Sequence, residues 1–309
     1  MPIPATTAAI TRHKTVEIDG LDIFYREGGD RANPTVLLLH GFPTSSFMFR
    51  NLIPALADEF HVVAPDYPAF GHSSFPANDE FDYTFEGFYE IVRRFVDALE
   101  IGSLSLYVQD YGAPIGLRLA SRHPERVQAL IVQNGNAYMD GFTPMWEPLF
   151  AYASNRNSET EAPVRGLLTA ETIKWLWTHG TRDSSNIAPE TWTLDAHNLD
   201  RRGNRDIQLD IFYDYRLNIP EYENFHHYLR EHQPPTLITW GVNDEIFGVA
   251  GAEAFRHDLP NAEVHLLDTG HFALEEELEF IAHTMHRFLK ENVSSARPGL
   301  DASSSPPKA

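Results

Sequence analysis

Cysteine is absent from this 309-residue sequence. Its absence excludes disulfide bonds, thiolate nucleophiles and metal sites built on cysteine ligands, and it is compatible with a reducing compartment. Two other patterns are also missing: the His-Glu-x-x-His pair of a helical zinc site and the strand-to-helix glycine fingerprint of dinucleotide binding. We therefore expect neither a catalytic metal nor a nicotinamide or flavin cofactor.

Basic residues are scarce, with 24 Lys and Arg against 44 Asp and Glu and a formal net charge of −20 at pH 7. This charge repels phosphate backbones and anionic bilayers, so we expect no nucleic-acid or membrane partner. No apolar run approaches the roughly 18 residues that span a bilayer, and the first residues lack the pattern of a signal peptide. These absences predict a cytoplasmic protein that acts on a small molecule, either as a monomer or as a homodimer.

Short apolar runs recur along the chain, at 36–39, 61–64, 104–108, 129–132, 236–240 and 264–267. Runs without polar alternation are typical of strands that are buried on both faces, as in a parallel sheet. Segments with helical apolar spacing lie between them, at 85–99, 113–123, 250–258 and 278–289. This alternation predicts an α/β fold with a mostly parallel central sheet flanked by helices.

The strand pattern is interrupted once, by a long stretch rich in aromatic and polar residues that ends at Pro234-Pro235. We interpret residues 135–232 as a helical lid inserted between two strands of the sheet. The core would then comprise 14–134 and 233–292. The tails, 1–13 and 293–309, are predicted to be flexible because they bury little apolar surface and the second is rich in Ser and Pro.

The most informative segment surrounds Asp110. An apolar run ends at Gln109, Asp110 follows, and Gly112 opens a helical pattern. A sharp turn from strand to helix that exposes one side chain at the edge of the sheet is typical of a nucleophile elbow. The simpler alternative is that Asp110 caps the helix.

Two further groups favour the catalytic interpretation. Asp244 follows the run 236–240, and His271 follows the run 264–267. The chain order of nucleophile, acid and histidine is the one that this kind of elbow uses. Because the carboxyl ends of parallel strands meet at one edge of the sheet, we expect the three side chains to lie together there.

These motifs resemble the α/β-hydrolase superfamily, and the aspartate in the elbow resembles the branch that contains epoxide hydrolases and haloalkane dehalogenases. The segment His40-Gly41-Phe42-Pro43, which follows another apolar run, is similar to the oxyanion-hole loop of that superfamily. The resemblance implies the α/β-hydrolase fold, with backbone amides of Phe42 and Tyr111 forming the oxyanion hole. It also implies that Asp110 attacks an sp³ carbon and that His271, supported by Asp244, activates the water that hydrolyses the resulting ester.

The leaving group decides between the two enzyme classes. Haloalkane dehalogenases typically bind the halide with a side-chain N–H after His-Gly and with a Trp after the nucleophile, where this chain has Phe42 and Tyr111. Epoxide hydrolases use lid tyrosines, and the segment 212–219 resembles the region that holds one of them. We therefore favour an epoxide hydrolase with Tyr215 as the proton donor and Tyr213 as the fallback.

The second lid tyrosine of that family has no clear counterpart, because the matching position lies near Trp146. Side chains that could bind the substrate or supply the second proton are His40, Tyr138, Tyr152, Trp146 and His179. Three alternatives stay open: a haloalkane or haloacid dehalogenase with the same triad, an ester or lactone hydrolase, and a fold member that binds a ligand without catalysis.

Overall fold

A computed structural model describes residues 10–293. Its strands are β1 Arg12–Ile18, β2 Leu21–Gly28, β3 Thr35–Leu39, β4 His61–Pro65, β5 Leu104–Gln109, β6 Val127–Gln133, β7 Thr236–Gly241 and β8 Glu263–Leu267. Its α-helices are α1 Leu52–Leu56, α2 Phe85–Ala98, α3 Gly112–Arg122, α4 Glu147–Ser154, α5 Ser158–Gly166, α6 Ala170–Thr178, α7 Pro189–Leu199, α8 Asn204–Asp214, α9 Asn218–His232, α10 Val249–Asp258 and α11 Leu274–Asn292.

The eight strands form one sheet in the order β1-β2-β4-β3-β5-β6-β7-β8. The pairs β1–β2 and β2–β4 are antiparallel, and every pair from β4 onward is parallel. The carboxyl ends of β3, β5, β6, β7 and β8 therefore lie along one edge, which is where ligands gather in open α/β sheets.

Five of the six predicted apolar runs lie in strands where they are buried on both faces. The sixth, 264–267, forms the edge strand β8, where Leu266 is exposed, so the prediction of a fully buried strand is wrong there. Every residue of β3, β4, β5 and β7 is buried. Helix α2 shows how the cover is built: its side chains Phe85, Phe88, Val92 and Phe95 recur at helical spacing on the buried face, and α2 packs against α3. Such spacing places an apolar stripe against the sheet and leaves charged residues outside. The prediction of a mostly parallel α/β sheet is confirmed.

Six helices, α4 to α9, lie between β6 and β7, and residues 134–235 contain no strand. We call this segment the helical insertion. It ends where Gln233 adopts a left-handed φ of 44° after α9 and Pro234-Pro235 lead into β7. Its limits lie within three residues of the predicted lid, 135–232.

The described residues cover part of the predicted tails. Strand β1 begins at Arg12, two residues before the predicted start of the core at 14, while 1–9 and 294–309 lie outside the described residues. Between residues 10 and 293, no helix has the length and apolarity required to cross a bilayer.

Candidate active site

The elbow at Asp110 is shaped by its backbone. Strand β5 ends at Gln109, Asp110 adopts a left-handed φ of 49°, and α3 begins at Gly112. This φ is costly for a residue with a Cβ atom, so the surrounding contacts must hold it. Gly112 permits the turn because a Cβ atom there would stand 2.2 Å from the backbone oxygen of Leu39 on β3. The carboxylate is thereby fixed at the carboxyl edge of the sheet.

Two backbone amides hold the carboxylate of Asp110. The amide of Phe42, in the loop after β3, donates to Oδ1 at 2.6 Å, and the amide of Tyr111 also donates to this carboxylate. Gly41 lets the loop come this close, since a Cβ atom at that position would stand 2.2 Å from Oδ1. The two amides predicted for the oxyanion hole therefore both reach Asp110.

Asp244 and His271 complete the predicted group. Asp244 lies in the loop after β7, and His271 lies in the loop after β8. Nδ1 of His271 donates to Oδ2 of Asp244 at 2.8 Å, and Nε2 of His271 stands 4.0 Å from Oδ2 of Asp110. All three side chains are buried. The arrangement can support nucleophilic attack followed by base-assisted hydrolysis.

Burial and charge act in opposite directions on the pKa values of the site. Burial raises the pKa of Asp110 to about 6, although His271 and the two amides lower it. For His271, burial lowers the pKa, but the carboxylates of Asp244 and Asp110 outweigh that effect and the pKa is raised overall. Shifts of this kind, caused by burial and specific partners, are typical of functional sites.

A polar network lies beneath the triad and was not predicted from the sequence. Asn134 directly follows β6. Its Nδ2 donates a hydrogen bond to Oδ2 of Asp244 at 2.8 Å, and its Oδ1 accepts one from the backbone amide of Gly241. Gln133 donates through Nε2 to the backbone oxygen of His271 at 2.9 Å. The available signal was the pair of polar residues at the end of the run 129–132, because β6 lies between β5 and β7 in the sheet.

A second missed residue is Gln109. Its Nε2 lies 2.8 Å from Nε2 of His271, so it contacts the ring directly. Gln109 is the last residue of β5, the strand that leads to Asp110, and its position beside Asp110 was visible in the sequence. What sequence alone does not give is the pairing of this side chain with a loop more than 160 residues away.

A cavity of about 70 Å³ opens above Asp110. Its lining is predominantly apolar and comes from the core loops and from the helical insertion: Phe42, Asp110, Tyr111, Met145, Trp146, Leu149, Leu167, Thr172, Trp175, Leu176, Phe212, Ile246 and His271. Apolar walls with a few polar groups at one end are typical of small-molecule sites. Among residues 10–293, no group of His, Cys, Asp and Glu side chains is placed to hold a metal ion.

Of the lid residues that we predicted at the site, Trp146 is one that lines this cavity. Tyr215 lies one layer behind it, with ring centroids 4.6 Å apart, and its hydroxyl is 3.5 Å from the hydroxyl of Tyr222. Tyr213 is covered by the guanidinium of Arg216 instead of facing the cavity. Neither Tyr215 nor Tyr213 contributes to the cavity wall.

The other predicted side chains have separate partners. Tyr138 donates to Oδ2 of Asp258 at 2.7 Å, and Nε2 of His179 lies 3.0 Å from a carboxylate oxygen of Glu245. Tyr152 is buried within the insertion. His40 stacks on Tyr67, and burial lowers the pKa of His40 to about 4, which leaves its ring neutral. None of these four lines the cavity, so their position gives no support to a role in substrate binding.

Comparisons with known proteins agree with this fold. The uncharacterized hydrolase YNR064C of Saccharomyces cerevisiae is 42% identical over 284 residues, which cover 91% of this chain and 97% of that protein. Haloalkane dehalogenase 1 of Mycobacterium tuberculosis is 43% identical over 103 residues, 33% of this chain and 34% of that one. The structure of epoxide hydrolase CorEH superposes with a TM-score of 0.75 at 19% identity, covering 91% and 99% of the two chains, and so shows the fold.

The family model described as alpha/beta hydrolase fold matches residues 34–278. That span includes β3 to β8, the helical insertion and all three members of the triad. The fold expected from the elbow and from the order of the triad is therefore confirmed, and this chain belongs to the α/β-hydrolase family.

Proposed function

We propose that this hydrolase opens small, largely apolar epoxides to vicinal diols through a covalent ester on Asp110. The observation that carries the proposal is the environment of the carboxylate. Oδ1 is held by the amide of Phe42, while Oδ2 lies on the side of His271, 4.0 Å from its Nε2. A carboxylate that faces an apolar cavity can attack an sp³ carbon and form an alkyl ester, whereas a serine hydrolase attacks a carbonyl carbon.

The first step forms a bond between Oδ2 of Asp110 and one epoxide carbon, and the bond from that carbon to the epoxide oxygen breaks. The oxygen stays on the neighbouring carbon as an alkoxide, and that alkoxide needs a proton. In the second step His271 takes a proton from water, and the water oxygen attacks Cγ of Asp110. Negative charge then develops on Oδ1, which already accepts a hydrogen bond from Phe42, and preorganised donors stabilise such an oxyanion by a few kcal/mol each. Collapse breaks the bond from Cγ to the ester oxygen, which takes the remaining proton of the attacking water and leaves in the diol. The carboxylate is restored, and the proton on His271 returns to the donor that protonated the alkoxide.

Tyr111 is the proton donor that the geometry favours. It lines the cavity, and its buried hydroxyl has no hydrogen-bond partner among the described residues. Burial and the neighbouring Asp110 raise the pKa of Tyr111 well above its usual range, so the hydroxyl keeps its proton until an alkoxide accepts it. Tyr215, which we expected from the sequence, lies behind Trp146 and serves as the alternative donor if the insertion rearranges around substrate.

A haloalkane dehalogenase is the second candidate. The segment of 103 residues that is 43% identical to Haloalkane dehalogenase 1 supports it, and the same Asp110 ester would form with loss of halide. Halide binding needs N–H or O–H donors, and Phe42 has none in its side chain. The hydroxyl of Tyr111 would be the donor in that case.

Intact mass of a His271→Gln variant tests the proposal, because without the base the ester should accumulate. We expect exposure to small epoxides to add the whole mass of the epoxide, and the further substitution Asp110→Ala to abolish the adduct. His227→Gln is the matched control, since this exposed histidine of α9 lies away from the site, and its protein should show no adduct.

The same variant, exposed to a panel of haloalkanes, separates the two candidates. A mass gain equal to the alkyl group, with halide lost, would replace the epoxide hydrolase with a dehalogenase. If neither panel modifies Asp110, the covalent mechanism is wrong and ester or lactone hydrolysis becomes the better hypothesis.

A further inference from the structure

Two buried glutamines occupy paired positions on neighbouring strands and contact the same histidine in different ways. Gln109 on β5 is in register with Gln133 on β6, and both side chains are fully buried. Gln133 donates to the backbone oxygen of His271, whereas Gln109 contacts Nε2 of its ring. The contrast between them separates a structural role from a functional one.

Gln133 satisfies both ends of its amide. Its Nε2 donates to Oδ1 of Asn134 at 2.7 Å as well as to His271, and its Oε1 accepts from the hydroxyl of Tyr107 at 3.2 Å. Gln109 does not: its Nε2 meets the ring of His271, but its Oε1 is buried with no partner among residues 10–293. A buried polar atom without a partner lowers stability, so folding alone gives no reason for glutamine at position 109.

The direction of the bond follows from the chemistry of the ring. Asp244 accepts the proton on Nδ1 of His271, so a neutral ring presents a lone pair at Nε2. The amide of Gln109 can bond that lone pair only by donating N–H. A protonated ring would instead place two N–H groups against each other. The contact therefore stabilises the neutral ring relative to the charged one.

We propose that Gln109 is a positioning residue for His271: in the free protein its amide holds Nε2 as an unprotonated acceptor until the hydrolytic water takes its place, and it prevents the ring from closing onto Asp110 as an ion pair. This inference rests on the proposed function, in which His271 acts as a base and Asp110 as a free nucleophile. The charged groups that act on the ring are Asp244 and Asp110, and both favour its protonation. Its other neighbours are the apolar rings of Phe247 and Phe272.

The test compares Gln109→Met with Gln133→Met, the same substitution at two paired positions. Titration of the free proteins, followed by the ¹⁵N chemical shifts of the imidazoles, gives the pKa of His271, whose signals are identified by their loss in His271→Gln. In Gln109→Met only burial still acts against the two carboxylates, so we expect the pKa of His271 to rise by about one unit, a tenfold change in the ratio of protonated to neutral ring at a given pH. In Gln133→Met we expect that pKa to stay where it is in the unsubstituted protein.

Thermal unfolding should separate the same two variants in the opposite sense. Gln109→Met removes the unpartnered oxygen, so its midpoint should equal or exceed that of the unsubstituted protein. Gln133→Met strips hydrogen bonds from Tyr107, Asn134 and His271, so its midpoint should fall. A large fall in Gln109→Met would show that the residue is structural and would overturn the inference.

Ester decay supplies the functional readout. Only a neutral His271 activates water, so the acid limb of the decay rate should move to higher pH in Gln109→Met, by the same amount as the pKa. An unchanged limb and an unchanged titration would overturn the inference. If no ester forms on Asp110 in any variant, the proposed function fails, while the titration still decides whether Gln109 controls the ring.

A second substitution covers the case in which Gln109→Met does not fold. Gln109→Glu keeps the size of the side chain but places a carboxylate beside Nε2. The carboxylate would accept a hydrogen bond from a protonated Nε2 and so favour the charged ring. We expect the pKa of His271 to rise further than in Gln109→Met. If His271 titrates no higher in Gln109→Glu than in the unsubstituted protein, the amide is not controlling the ring.

Discussion

The sheet edge and the helical insertion contribute to the same cavity, but they position their residues by different means. At the sheet edge, Asp110, Asp244 and His271 each follow a strand, so the hydrogen-bond register of the sheet determines where they lie. In the insertion, a side chain such as Trp146 reaches the cavity through the packing of short helices. The first kind of placement is rigid and visible in sequence, and the second depends on many weak contacts that substitution can shift.

Each region contains a buried aspartate, and the pair gives the largest expected effect. Asp110→Asn should reduce turnover about 10⁴-fold or more, because an amide cannot form the ester. Asp195→Asn, in α7 of the insertion, should leave turnover within about twofold. Asp195 accepts a hydrogen bond from the indole of Trp177, and burial, which disfavours its charged form, raises the pKa of Asp195 well above its usual range. The amide of asparagine has the same shape, and its oxygen can accept the same hydrogen bond.

Steady-state kinetics on a substrate that forms the Asp110 ester would measure both variants, with circular dichroism to verify folding. A loss in Asp195→Asn comparable with that of Asp110→Asn would contradict the division between the two regions. It would mean that the packing of the insertion controls the chemistry as strongly as the nucleophile does.

Two glycines should respond to alanine with opposite signs. Gly112→Ala drives a Cβ atom toward the backbone oxygen of Leu39 at 2.2 Å, and we expect it to lower the free energy of unfolding by about 1–3 kcal/mol. Gly166, at the end of α5 in the insertion, is exposed and would place its Cβ in open space. Gly166→Ala should raise the free energy of unfolding by about 0.4–1 kcal/mol, because alanine has less freedom in the unfolded chain.

Urea denaturation followed by fluorescence would measure both changes. Both variants add the same methyl group, so a difference in their free energies of unfolding comes from the surroundings of the two glycines. If Gly112→Ala proved as stable as the unsubstituted protein, the elbow would be free to shift away from β3.

The smallest expected effect concerns pH. Attack requires the ionised carboxylate, and burial raises the pKa of Asp110 to about 6. As pH falls through that value the carboxylate gains a proton, so the rate of ester formation should fall toward tenfold for each further pH unit. Quenched single-turnover measurements would follow this step. The fall in rate at low pH should occur at the same pH in Asp195→Asn. If that substitution moved it, the titrating group would be Asp195 in the insertion and not Asp110.

The sheet, the sharp turn at Asp110 and the proximity of Asp110, Asp244 and His271 could be predicted because each depends on short local patterns at the ends of strands. Apolar runs of four or five residues became fully buried strands, and polar residues at their ends met at one edge. The roles of Phe42 and Tyr111 in the oxyanion hole came from resemblance, and both amides do contact Asp110.

The remaining features depend on contacts between distant parts of the chain. Asn134 reaches Asp244 across 110 positions, and no local pattern distinguishes it from an ordinary turn residue. In the insertion, the position of Tyr215 behind Trp146 depends on how α8 and α9 pack. Sequence places such a side chain on a helix but does not give the rotation of that helix about its axis.

The two oxygens of Asp110 have different contacts, and this difference determines which oxygen would enter the product. In the proposed mechanism Oδ1 stays with the Phe42 amide, so the ester would form through the other oxygen, and that oxygen would depart in the diol. Water then refills the vacated position on the carboxylate. Each product therefore carries an oxygen that came from the solvent one catalytic cycle earlier, and the protein behaves as a reagent that is consumed and rebuilt by one atom at every turnover.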